Sequence, residues 1–265
     1  MVDRLITLHQ LSLRDVSPIE LVCLAPEAGF SSVSVFLHPP AAQLDIFPRL
    51  QAGADTRAFR SALREHGVSV HNIEALPFSG RTDPADYLPV LDHAAEIGAC
   101  RATVLVYDRD LERASDRLSA TCDAAAARGI AISIEFMAFS ALTTVGLAAD
   151  FVRRNGHGNL SLLVDPLHLA RTGGTPKDLA PLTDTIGALQ FCDAPLAAPE
   201  DAFREAVEDR GIPGEGELPL KELLKATAPG LPLDIEVPML RLQTQGLSPL
   251  SRALRLRHSL SSYIF

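Results

Sequence analysis

Four apolar stretches in the second half of the chain each close on an oxygen-bearing side chain. "IAISIEF" carries Glu135, "LSLLVD" ends on Asp165, "IGALQFCD" carries Gln190 and then Asp193, and "LPLDIEV" carries Glu236. A buried carboxylate without a partner is costly, so each must be neutralised or bind something. Three carboxylates held close together repel unless protons or a cation compensate them. With one amide oxygen they form a hard, all-oxygen set, which suits Mn²⁺, with Mg²⁺ or Co²⁺ as substitutes, better than zinc. His168 follows Asp165 by three positions. It should sit just past the strand end, where an imidazole can hydrogen-bond a substrate oxygen.

The elements that must position these residues recur along the chain. "LVCLAPEAGFSSVSVF", "FRSALREHGVSVHNIEA", "LDHAAEIGACRATVLV", "CDAAAARGIAISIEF" and "FVRRNGHGNLSLLVD" share one grammar: an amphipathic helix, a glycine, then a short apolar run. The glycines at 29, 67, 98, 129 and 156 read as helix stops that feed strands. Short, apolar strands of this kind are expected in a parallel sheet covered by helices. Extended to both ends, the pattern predicts eight strands near 4–9, 31–37, 68–74, 101–107, 130–136, 160–165, 186–192 and 232–237. Eight βα units in 265 residues predict a (β/α)8 TIM barrel as a single domain over residues 1–265. No GxGxxG follows the first strand, which argues against a dinucleotide-binding open sheet.

In such a barrel the chemistry gathers at the C-terminal ends of the strands. Alternation places Ser133 with Glu135 and Asp234 with Glu236 on one side, and Ile132, Ile134 and Ile235 on the other. The early strand ends bring His9, Phe36, His38, Asn72, Glu74, Tyr107 and Asp108 to the same rim. Of these, His38 and Glu74 are the residues expected to touch substrate. Pro39, Pro40, Pro77 and Phe78 suggest an apolar lid, and Arg171 or Arg210 could hold an anionic group.

Composition excludes several classes. A net charge of −9 with scattered basic residues argues against nucleic acid or an anionic membrane as the main partner. No apolar run approaches the roughly 20 residues of a membrane span. The four cysteines show no CxxC spacing, which fits free thiols in a reducing cytoplasm. The expected partner is a small carbohydrate or keto-acid substrate, with self-association into a homo-oligomer compatible with the barrel.

The series Glu135, Asp165-x-x-His168, Gln190-x-x-Asp193, "RGIPGEGEL" and Glu236 resembles the xylose isomerase-like TIM-barrel superfamily, from "LHQLSL" on the first strand to Glu236 on the eighth. That group includes the hydroxypyruvate isomerase, tagatose 3-epimerase and inosose dehydratase branches. The resemblance implies that Glu135, Asp165, Gln190 and Glu236 bind one divalent metal, that Glu135 and Glu236 also act as acid and base, and that His168 and Arg210 touch substrate. Between Asp193 and "RGIPGEGEL" the chain carries "APLAAPEDAFREAVED", expected to add helical structure over the mouth.

The implied activity is that of a metal-dependent sugar isomerase or epimerase. A metal on two adjacent oxygens of a hydroxy-ketone acidifies the C–H beside the carbonyl and stabilises the enediolate. Returning the proton to the same carbon epimerises, and returning it to the neighbour isomerises. Expelling a β-hydroxyl instead makes a lyase or dehydratase acting on a keto-sugar, keto-inositol or keto-glycoside. A DNA-repair role, known for apurinic endonucleases in the superfamily, would require a histidine-rich zinc cluster and a basic groove. Of the eight histidines here, only His168 belongs to the metal-site motifs.

Overall fold

The structure, a computed structural model, describes residues 4–40 and 47–263. Eight parallel strands close into a barrel in sequence order: β1 (Ile6–His9), β2 (Ser32–Phe36), β3 (Ser69–Phe78), β4 (Arg101–Val106), β5 (Ala131–Glu135), β6 (Leu160–Val164), β7 (Ile186–Phe191) and β8 (Leu233–Ile235). The ring shuts through Thr7 of β1 beside Asp234 of β8. Outside it, among the described residues, lie α1 (Pro18–Glu27), α2 (Ala54–His66), α3 (Leu88–Glu96), α4 (Leu111–Ala126), α5 (Val145–Asn155), α6 (Pro166–Arg171), α7 (Ala202–Glu208), α8 (Leu220–Ala226), α9 (Leu240–Thr244) and α10 (Pro249–Ser259). Every predicted strand is present. The main boundary difference is β3, which runs on to Phe78 and takes Pro77 and Phe78 out of the expected lid.

Local sequence explains the element ends. Ser17 and Glu20 form a reciprocal capping box before α1, with Pro18 at its first position. Gly67 and Gly156 end α2 and α5 in the left-handed region, at φ 64° and 77°, where a Cβ would be strained. Between strands and helices lies a continuous apolar shell. Ile132, Ile134 and Ile235 have no exposed surface and belong to it, as the alternation predicts. Each such side chain contributes roughly 1.5–3 kcal/mol on burial.

The inside of the barrel is polar instead. At the N-terminal end Arg101 donates to the hydroxyls of Ser133 and Ser161 and to the carbonyl of Gly187. A Cβ at Gly187 would run into the Ser161 side chain, so glycine keeps room for this layer. One level up, Ser34 Oγ donates to Asp234 Oδ2 at 2.5 Å and Asn72 Nδ2 donates to Thr103 Oγ1 at 2.9 Å. Above these comes the acidic layer that forms the site. No helix among the described residues is long and apolar enough to cross a membrane, and all four cysteines are free.

Candidate active site

Asp165 follows β6 and caps α6: its Oδ1 accepts the Leu167 amide hydrogen at 2.6 Å. Its other oxygen, Oδ2, takes Arg210 Nη1 at 2.6 Å. The same nitrogen lies 2.8 Å from Glu236 Oε2, past the end of β8. The cation that compensates Asp165 in the structure is therefore a guanidinium, and the helix cap supplies the rest. Arg210 is itself held from both sides, because its Nε donates to Ala206 O at 2.9 Å and its amide to Pro238 O at 2.9 Å.

The remaining groups form two flanks. Glu135, Asp165 and His168 each place a ligand atom within 4.8 Å of the others, with His168 Nε2 3.3 Å from Glu135 Oε1. His9, Glu74 and Glu236 form the second set, with His9 Nε2 3.4 Å from Glu74 and Nδ1 3.6 Å from Glu236. Gln190 joins them from β7: its Nε2 donates to Glu74 Oε1 at 3.1 Å, which leaves its buried Oε1 without a partner. All these residues are almost wholly buried.

Burial and mutual repulsion dominate the electrostatics. Burial, then Glu236, Glu74 and Asp165, push the Glu135 carboxyl well above the usual carboxylate range. Burial also lifts Glu236 to about 7, against the pull of Arg210 and His9. Asp165 should rise for the same reason, but Arg210 and His168 hold it below its ordinary value. Burial lowers His168 to about 4. His9 behaves oppositely: burial opposes its charge, yet Glu74, Glu236 and Asp234 outweigh it and raise the ring to about 10. One bond opposes that rise: Leu11 N–H donates to Nδ1 at 3.1 Å, which only the neutral ring accepts. Charging it would cost that bond.

The donor chemistry fits a divalent cation. Of the four carboxylates at 74, 135, 165 and 236, only Asp165 and Glu236 are paired with a guanidinium, and an amide oxygen is left unpaired beside them. Glu135, Asp165, Gln190 and Glu236, the expected ligands, do converge at one mouth, as does Glu74.

The other expected residues divide. His38 does not reach the cavity. Its ring meets Tyr87 edge-on at 5.7 Å and its Nδ1 lies 2.8 Å from Pro39 O, so it is turned toward α3 rather than toward substrate. Arg171 is engaged by the chain itself. It grips Glu205 through two 2.7 Å bonds and so ties α6 to α7. Asp108 is occupied by a fork from Arg113. Asp193 organises "RGIPGEGEL": its carboxylate accepts four backbone hydrogens, from Ala194, Gly214, Gly216 and Leu218.

The lid comes from the segment expected to add helix. Residues of α7 close the mouth, with Phe203, Ala206 and Val207 lining a cavity of about 50 Å³ above the acids. Of the proposed apolar lid, Pro40 lines that cavity while Pro77 and Phe78 do not. His9 is the residue the sequence left among generic rim positions. It could have been found by the rule that picked out Glu135, since it too ends a strand. A larger surface groove, about 1160 Å³, runs along the outer side of α7 and shares only Arg210 with the acid cluster.

The sequence profile of the xylose isomerase-like TIM barrel family matches residues 22–239. The chain belongs to that family. Its barrel superposes on solved structures that share its fold at low identity. One is a xylose isomerase-like TIM barrel/4-hydroxyphenylpyruvate dioxygenase fusion protein, with TM-score 0.80 and 22% identity, over 97% of this chain and 42% of the fusion. The present chain thus spans less than half of that protein. A second is the IolI protein with a bound zinc atom (TM-score 0.80, 16% identity, 98% and 99% covered). A third is D-allulose 3-epimerase from Methylomonas sp. (TM-score 0.72, 16% identity, 99% and 98% covered). A search of curated protein sequences gives no significant match.

Proposed function

We propose that this family member is a divalent-metal-dependent isomerase or epimerase that moves a proton beside the carbonyl of a sugar-like hydroxy-ketone. The observation that carries the proposal is the placement of two buried glutamates around one aspartate. Glu135 lies within 4.8 Å of Asp165, and Asp165 is joined to Glu236 through a single Arg210 nitrogen. Glu135, Asp165, Gln190 and Glu236 would hold the ion, and Mn²⁺ suits their oxygens. Zinc in the IolI structure and the epimerase neighbours support a barrel that holds a divalent ion and handles sugars. When bound, the ion supplies Lewis-acid polarisation of the substrate carbonyl.

The chain's own residues supply the rest. One glutamate takes the proton and the other returns one, an exchange suited to carboxyls that burial holds above the usual carboxylate range. Arg210 and His168 donate to substrate oxygens, and α7 keeps water out. A second reading, elimination of water by the same site, is favoured by His168. Its neutral ring stands 3.3 Å from Glu135, where it can relay the proton that Glu135 takes up to a leaving hydroxyl.

The test is incubation of Mn²⁺-loaded protein with hydroxy-ketones in deuterium oxide. Deuterium entering an intact carbon skeleton supports isomerase or epimerase chemistry, a dehydrated product supports elimination, and neither would refute both.

A further inference from the structure

Both site histidines carry an aromatic wall. On one flank Phe36 meets His9 edge-on at 5.5 Å and stacks on Phe47 at 5.3 Å. On the other, Phe139 meets His168 edge-on at 5.6 Å and then Phe203 of α7 at 5.2 Å. Phe203 also packs on the cluster of Leu11, Phe36 and Phe47, so the two walls join under the lid. Arg14 reinforces the seam, lying over Phe47 and donating to Val207 O at 3.0 Å. The cavity is therefore sharply two-sided. Ten of its sixteen described lining residues are apolar, and Tyr107 and His168 are the only uncharged polar side chains among them.

We infer that the substrate is hydroxyl-poor: it presents two adjacent oxygens to the acid floor and a largely hydrocarbon face to Phe36, Met137, Phe139 and Phe203. The inference rests on the proton-transfer reading above and narrows its substrate class. The floor already satisfies the oxygens that reach it. Each further hydroxyl of an open polyol would be pressed against aromatic rings or methyl groups and lose its hydrogen bonds to water without replacement. Tyr107 offers one compensating hydroxyl, and burial raises its pKa and keeps it a donor. A hydrophobic wall rejects one added hydroxyl by up to about a hundredfold, so several should be strongly discriminated.

The test compares two hydroxy-ketones on the Mn²⁺-loaded full chain. One is 2-hydroxycyclohexanone, which has no further hydroxyl, and the other is D-fructose, which has several. Titration calorimetry gives the affinities and deuterium wash-in gives the exchange. The expected result is binding of 2-hydroxycyclohexanone at least about tenfold tighter than D-fructose. Phe203→Asn, on the half-buried lid, should narrow that ratio severalfold, and Met137→Gln, just past the end of β5, should do the same from the barrel side. Equal or tighter binding of D-fructose by the unaltered protein would overturn the inference while leaving the proton-transfer reading intact. A ratio unmoved in both folded variants would also overturn it. Exchange of neither compound with Mn²⁺ bound would defeat that reading and this inference together.

Discussion

Each flank of the site holds two carboxylates and one histidine, and the two face each other across one arginine, yet they treat a proton differently. On the Glu135–Asp165–His168 side the imidazole is driven down to about 4, because burial meets little net negative field once Arg210 answers Asp165. On the His9–Glu74–Glu236 side three carboxylates overcome the same burial and raise the ring to about 10. Position on the ring of strands does not set a histidine's role here. The ratio of carboxylates to Arg210 around it does.

The largest expected effect removes a proton carrier from either flank. Glu135→Gln and Glu236→Gln should each slow deuterium wash-in by about 10²–10⁴-fold. A variant that retains full exchange would leave its flank outside the chemistry and break the symmetry of the pair.

The next tests the element between them. Arg210→Met leaves Asp165 and Glu236 without their shared cation, and breaking a buried pair typically costs about 3–5 kcal/mol. The metal-free variant should melt well below the parent protein. Saturating Mn²⁺ should raise its Tm by more than it raises the parent's, because the ion then answers carboxylates that nothing else does. Equal Mn²⁺ shifts in both would mean that Arg210 and the ion serve different groups.

Lid closure should be a milder matter. Glu205→Gln removes the partner of Arg171 and loosens α7 over the mouth. The expected change is a severalfold rise in KM with kcat kept within about twofold, since the acids themselves are untouched. A fall in kcat alone would place α7 in the chemistry rather than over it.

The smallest effect is in pH. His168 is lowered from 6.5 to about 4 in the fold, so its contribution to stability is present above pH 6.5 and is lost as pH falls toward 4. His9 is raised from 6.5 to about 10, so its contribution is present below pH 6.5 and is lost as pH rises toward 10. Urea unfolding of the metal-free protein should therefore show His168→Asn flattening the acid side of the stability profile and His9→Asn the alkaline side. The same side flattened by both would erase the contrast.

The barrel was legible because its signals are local. Glycine stops and short apolar runs repeat within each βα unit, and the side of a strand on which Glu135 or Glu236 falls follows from period-two alternation. What the sequence hid depends on partners far apart in the chain. Arg210 finds Asp165 across 45 positions, and Arg171 finds Glu205 across 34, so neither arginine's role could be read from spacing. His38 illustrates the same limit from the other direction. It stands at the right rim, but its ring packs edge-on against Tyr87 and it is not among the residues lining the cavity. Nothing in the spacing marks Phe139 or Phe203; only the fold sets Phe139 edge-on against His168 and Phe203 edge-on against Phe139.

The ion site proposed for Glu135, Asp165, Gln190 and Glu236 is open to one decisive experiment. Titrating Mn²⁺ into metal-stripped protein, beside Glu135→Gln, tests it most directly. About one ion per chain is expected in the parent, with affinity lowered by about two orders of magnitude or more in the variant. Binding of no divalent ion, or undiminished affinity in Glu135→Gln, would contradict it.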